Sequence, residues 1–246
     1  MTTDDLTRRV RAAHADAWEI EGRARERYGG GAARVQGARM MASGLPEAKW
    51  NNVDVTDASV DVAAIREWYE PRGVPWGLRV PVEMELDCGR PLYVKRCVAL
   101  LPGIPVRRAS SVSVIRERDE SVYTALESAA FAYGPAAARA WVRPQFGHPA
   151  FRHWVATVDG VPAAIGTTIR TNGDAGPASY LTGLASLVEA PREALQALVD
   201  VATADAYSGG AAFVHTNPES DGDDEILASH NPLEVPGFLI RVARAE

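Results

Sequence analysis

At 246 residues, with 46% hydrophobic and 24% charged side chains, the chain can fill one large core or two small ones, as an ordinary soluble globular protein does. Its only cysteines, Cys88 and Cys97, exclude a disulfide framework and a four-cysteine zinc site. The net charge of −6 argues against broad, sequence-independent affinity for nucleic acid, because that affinity comes from neutralised phosphates.

The opening Met1-Thr2-Thr3-Asp4-Asp5 is acidic and unlike a secretion signal, and no apolar run approaches the ~18–20 residues that a membrane helix needs. A cytoplasmic protein with no membrane partner is therefore expected. In chain order, residues 5–28 carry Leu6, Val10, Ala13, Trp18 and Ile20 among charges and predict an amphipathic helix. Gly29-Gly30-Gly31 ends it; Arg34 breaks the glycine pattern of a phosphate loop. Alternation predicts one strand over Ala33–Ser43. A helix over Asp61–Glu70 follows, capped near Asp57 or Ser59 and stopped by Pro71-Arg72-Gly73. Strands are expected at Gly77–Pro81 and Leu92–Leu101. Pro102–Ser111 is the candidate domain boundary. It holds Arg107 and Arg108, which with Arg116 and Arg118 make the densest basic cluster, read as a solvated linker and strand edge.

Beyond the boundary the pattern is cleaner. A short strand over Val112–Arg116 leads to helices over Glu120–Ala130 and Pro135–Val142. Strands Phe151–Val158 and Val161–Ile169 flank Asp159-Gly160, the pair that a type I′ hairpin turn prefers. A strand over Ala178–Leu187 precedes a long helix opened by Pro191 and closed by Gly209-Gly210. A strand over Ala212–Thr216, a short helix after the acidic stretch Glu219–Glu225 and a last strand over Gly237–Val242 complete the order β-α-α-β-β-β-α-β-α-β.

That order, with the text from Phe151 to Thr168, Tyr180 to Leu187, Ala194 to Ala211 and Phe213 to Asn217, resembles the GNAT acetyltransferase superfamily over roughly residues 112–243. More weakly, Trp68-Tyr69 and the run Arg72 to Gly77 resemble the worn amino-terminal half of tandem GNAT proteins. The resemblance implies an α+β fold with a mixed central sheet flanked by helices, in two GNAT-like halves, 1–105 degenerate and 111–246 carrying the site. In the family, acyl-CoA lies where two parallel strands splay. An amide of the receiving strand polarises the thioester, the diphosphate sits on the amides at the start of the next helix, and a tyrosine often protonates the leaving thiolate. Here Ala190-Pro191-Arg192-Glu193-Ala194-Leu195 stands where the family has Arg/Gln-x-x-Gly-x-Gly/Ala. Proline removes an amide, Glu193 adds charge repulsion on the order of 1 kcal/mol, and Leu195 adds bulk. The tyrosine position falls on Leu227. Acyl-CoA is thus possible but disfavoured as the donor.

Candidate site residues follow from the same placement. Leu184, Ala185 and Leu187 could offer donor-binding amides, with Arg192, Gln196 and Asn217 beside them; equally, Leu184–Leu187 reads as a buried central strand and Asn217-Pro218 as a turn. His215, at the end of the splayed strand, is the candidate base, ahead of His153; either reads also as a hydrogen-bonded structural histidine. Tyr180 and Thr182 are expected to share a face with Leu184. Glu127 could face an acceptor amine, and Glu219 opens an acidic stretch that lacks calcium-loop spacing. No metal is expected. The expected activity is transfer of an acyl or aminoacyl group to an amine of a small metabolite, from a carrier protein or an aminoacyl-tRNA rather than free acyl-CoA. A repurposed fold performing cyclisation or elimination, or a non-catalytic binding module, stays open.

Overall fold

A computed structural model describes residues 2–102, 111–187 and 190–243. The elements are α1 (Thr3–Ala24), β1 (Gly31–Val35), β2 (Ala38–Ala42), β3 (Asn52–Val55), α2 (Val62–Tyr69), β4 (Gly77–Pro81), β5 (Arg90–Leu100), β6 (Val112–Glu117), α3 (Glu120–Phe131), α4 (Pro135–Val142), β7 (Phe151–Val158), β8 (Val161–Gly173), β9 (Gly176–Ser186), α5 (Arg192–Ser208), β10 (Val214–Thr216), α6 (Asp221–Leu227) and β11 (Leu233–Val242). No helix among the described residues is long and apolar enough to cross a membrane.

The chain divides into two compact units, Met1–Cys97 with Val235–Glu246, and Val98–Glu234. In the first, the strand order is β1-β2-β3-β4-β11, with β3 and β4 parallel and the other neighbours antiparallel. The strand expected over 33–43 is instead a hairpin, because Gly37, at φ 68, supplies the left-handed turn residue. The four-residue β3 is too short to show an alternation. Its even position Asp54 is buried because Arg79 binds both carboxylate oxygens at 2.8 Å and His14 Nδ1 lies 3.1 Å from Oδ1. The side chain of α2 residue Ile65 packs with Met40, Val53 and Leu78 on the other face. The last strand, read from sequence as part of the second domain, pairs antiparallel with β4, Phe238 against Pro81 and Val242 against Gly77.

The second unit orders Val98–Leu100 of β5, then β10, β9, β8, β7 and β6, and only β9 and β10 run parallel. Asp159 (φ 50) and Gly160 (φ 80) both take the left-handed conformation at the β7–β8 turn, as the pair predicts. Helix α5 covers one face of the sheet, burying Leu195, Leu198, Val199 and Ala202 with Trp154, Leu181 and Val214. Helices α3 and α4 cover the other, where Tyr123 and Val142 meet Val155 and Ile165. Most of the boundary segment, residues 103–110 with Arg107 and Arg108, lies outside the described residues.

Candidate active site

The site follows from how β9 is held. On one edge it pairs with β8 along its length, but on the other it touches β10 only at Ser179–Val214 and Tyr180–His215. Strand β10 ends at Thr216, while β9 runs on to Ser186. Two parallel strands thus part after two residues and leave a fork whose inner edge is backbone.

Within the fork β9 is bulged. Ile165 faces Ala185 and Thr167 faces Thr182, so Gly166 alone opposes both Gly183 and Leu184. Gly183 permits this by adopting φ 61. Beyond the bulge the Leu187 N–H donates to the Ala163 carbonyl at 2.8 Å. Strand alternation then turns the amides of Leu184 and Ser186 toward the fork. Leu187, expected to offer its amide to a donor, has it committed to β8.

The bulge also reverses which side chains share a face. Tyr180 and Thr182 stay together, whereas Leu184 joins the α5 core, where its side chain crowds the position a Gly166 side chain would take. The expectation that all three share one face is corrected: an extra residue inserted in a strand shifts its period of two by one. Ala185 lies with Ile165 on the α3 side.

Three of the sequence-predicted residues converge where the strands part. The Tyr180 and His215 rings are stacked at 4.7 Å and 7°, and Tyr180 Oη donates to Asn217 Oδ1 at 2.8 Å. Both rings are buried, at 3% and 1% exposure. Thr182 lies on the same face, opposite Thr167. Thr167 Oγ1 is hydrogen-bonded to Tyr123 Oη (3.0 Å) and His153 Nδ1 (3.1 Å). His153 stacks on Phe146 at 4.3 Å, and burial, with Arg116 nearby, lowers its pKa to about 3. At neutral pH it is an uncharged member of the packing. Burial drives the Tyr123 hydroxyl pKa well upward, and the Glu127 carboxylate adds to the rise. Glu127 is itself buried on α3, in the neighbourhood of Tyr123.

Tyr123 and Thr167 were missed from sequence. Tyr123 reads as one more apolar position of a helix, and the alternation of β8 does not single out Thr167. Glu219 is not drawn into the cluster; it is exposed, and its amide donates to Asp223 Oδ2 at 2.8 Å. That carboxylate also takes the Ser220 amide while Ser220 Oγ takes the Asp223 amide, a reciprocal helix cap that accounts for part of the acidic stretch. Among the described residues no group of three His, Cys, Asp or Glu side chains is placed to hold a metal ion.

The entrance of α5 has Pro191 as its cap, with no side-chain hydrogen bond, and exposed Arg192 and Glu193 in the first turn. The Arg192 guanidinium is ion-paired with Glu225 of α6. Gln196 Nε2 donates to Asp200 Oδ1 and Ser229 Oγ, each at 3.1 Å. Leu195, expected to crowd the entrance, is turned into the core at 6% exposure, so that steric objection is withdrawn. Leu227 is also core, at 2%.

No family model and no curated protein matches the sequence. Solved structures do match. A GCN5-related N-acetyltransferase from Kribbella flavida superposes with a TM-score of 0.71 at 15% identity, over 98% of this chain and 96% of its own. A tandem GNAT protein from the clavulanic acid biosynthesis pathway gives 0.56 at 13% identity, over 85% and 78%. A C-terminal domain assigned to a lysylphosphatidylglycerol synthetase of Agrobacterium fabrum gives 0.52 at 11%, over 98% and 93%.

Proposed function

We propose that this chain, whose fold is that of the GCN5-related N-acetyltransferases, uses its second unit to move an acyl or aminoacyl group onto an amine of a small metabolite. The observation that carries this reading is the fork, where β9 and β10 part after two paired residues beside a Gly183 bulge. A carbonyl laid along β9 meets the Leu184 amide, a donor fixed before the reaction begins and aimed at developing oxyanion charge.

In the step proposed, the amine nitrogen bonds to the acyl carbon while the C–S or C–O bond to the donor breaks. The proton shed by the amine passes to the His215 imidazole and on to the departing sulfur or oxygen, so the donor leaves as a thiol or alcohol. Tyr180 acts as a positioning residue: it stacks on His215 and is itself held by Asn217. Thr182 extends the same wall toward the acceptor side, and Glu127, beneath Tyr123, is assigned no contact with the reacting atoms.

The donor we propose is carried on a carrier protein or a tRNA rather than on free acyl-CoA. The described residues at the α5 entrance fit a diphosphate poorly: Pro191 has no amide hydrogen, Glu193 is exposed and acidic, and the nearest cation, Arg192, is engaged by Glu225. The Agrobacterium fabrum neighbour, named as a domain of a lysylphosphatidylglycerol synthetase, keeps an aminoacyl group among the candidates.

Calorimetry with acetyl-CoA, an acylated carrier protein and an aminoacyl-tRNA tests the donor. Acetyl-CoA is expected to bind weakly or not at all, and micromolar affinity for it would reject this part of the reading. With a productive donor, His215→Ala should lower kcat by about 100-fold or more, the usual scale for losing an acid–base group. Unchanged turnover in that variant would remove His215 from the chemistry.

A further inference from the structure

Four arginines gather on the α5 face of the second unit, on the opposite side of the sheet from Tyr180 and His215. Arg116 comes from β6, Arg118 follows it, Arg152 starts β7 and Arg170 lies late in β8. The registers Arg116–Trp154 and Arg152–Thr168 put these even-numbered positions on one face of three adjacent strands. Trp154 and Thr168 identify that face, since Trp154 Nε1 donates to Thr168 Oγ1 at 3.1 Å within the α5 side.

Among the described residues a single carboxylate is ion-paired with the group. Asp205 of α5 pairs with Arg152 and, through the same Oδ2, with Arg170 at 3.3 Å; Arg170 also donates to the Asp205 carbonyl at 3.2 Å. The other nearby acids are occupied elsewhere. Glu117 Oε1 accepts the Arg118 and Asp119 amides, both at 2.8 Å, and Asp119 caps α3 through the Ser121 and Val122 amides. Among the described residues neither Arg116 nor Arg118 has a carboxylate within ion-pair distance.

Like charges on neighbouring strands destabilise a sheet, and partial desolvation followed by the other guanidiniums holds the exposed Arg116 below its ordinary pKa. Among the described residues of a chain of net charge −6, four guanidiniums thus share one ion-paired carboxylate. All four residues are arginine, whose planar fork with five N–H donors suits tetrahedral oxyanions. One carboxylate, with about four acceptor positions, cannot satisfy four such forks.

We propose that Arg116, Arg118, Arg152 and Arg170 form a binding site for a ligand carrying adjacent phosphates, with Arg152 and Arg170 fixed on Asp205 as its floor and Arg116 and Arg118 closing on the anion. This site is independent of the acyl-transfer reading and stands or falls separately.

Isothermal titration of the full chain with tripolyphosphate tests it. Saturable binding is expected, weakening as salt rises, with inorganic phosphate binding less tightly. The double variant Arg116→Gln, Arg118→Gln should bind at least about ten-fold more weakly, since it removes two charge-assisted contacts. Both side chains are exposed, and circular dichroism checks that the variant keeps its fold. Arg139→Gln, on the exposed face of α4, should bind as the parent does. A short oligoribonucleotide in place of tripolyphosphate separates the sources: binding lost in the double variant assigns the phosphates to a nucleic-acid strand, and no binding assigns them to a free polyphosphate. Absence of saturable tripolyphosphate binding, or a double variant indistinguishable from the parent, overturns the proposal.

Discussion

His153 and His14 show how burial decides what a histidine does. Each was available from sequence as an ionisable group, yet in the fold each is packed without charge. Burial lowers His153 to about 3. Burial and Arg79 lower His14 to about 4, against the opposing pull of Asp54. In the unfolded chain both titrate near 6.5. Between about 6.5 and the folded values the unfolded state therefore binds the extra proton, so stability is fullest above 6.5 and falls as pH drops through that window. Each group should contribute a slope of up to about 1.4 kcal/mol per pH unit. Asp54 adds the same sign at lower pH: burial pushes its carboxyl up, but Arg79 and His14 more than offset this and hold it at about 2. Urea denaturation from pH 7.5 to 3.5 checks the prediction, and a flat profile refutes it. Candidate identities such as His215 and Tyr180 were legible in the residue types. That the two rings stack, and that Asn217 receives the tyrosine hydroxyl, depended on register between strands distant in sequence.

The functional element is the bulged pairing of β9 with β8, and one glycine on each strand, Gly183 and Gly166, separates backbone strain from crowding. Gly183 sits at φ 61 with open space where a Cβ would go. Gly183→Ala should therefore cost about 1–2 kcal/mol through the left-handed backbone alone. Gly166 is the reverse. It has no positive φ, but a Cβ there would lie 2.9 Å from both Leu184 Cδ2 and Leu198 Cδ2. Gly166→Ala should cost about 1–3 kcal/mol by overpacking, and a compensating Leu184→Ala should recover part of it. Chemical denaturation of the three variants checks both values. A double variant no more stable than Gly166→Ala would show that Leu184 is not the obstruction. The hairpin was readable because Asp-Gly encodes its turn locally. The bulge was not, because Gly183 acquires its meaning only opposite Gly166.

At the scale of the whole molecule, the chain returns to its beginning. Strand β11 contributes Val235, Phe238 and Ile240, at 2%, 1% and 8% exposure, to the unit built from the first 97 residues. Each such side chain contributes about 1.5–3 kcal/mol by burial, and three together rival the 5–15 kcal/mol that holds a typical domain folded. A chain ending at residue 234 should therefore lose the cooperative unfolding of its first unit. Limited proteolysis and near-ultraviolet circular dichroism are the checks. Cooperative unfolding at the parent midpoint would show that β11 is dispensable. In the sequence the boundary at Pro102–Ser111 and the resemblance to tandem GNAT proteins pointed to two halves, but the pairing of the last strand with β4 has no local signature.

The amino-acid sequence by itself determined most helices and the β7–β8 turn, because hydrophobic period, helix stops and an Asp-Gly pair act over a few residues, and the order of those elements carried the resemblance that implied the class of the fold. Tertiary structure alone decided where β9 and β10 separate, which side of the sheet Leu184 joins, and which unit receives β11. Those outcomes rest on pairing between segments far apart along the chain, where one inserted residue reverses every side chain that follows.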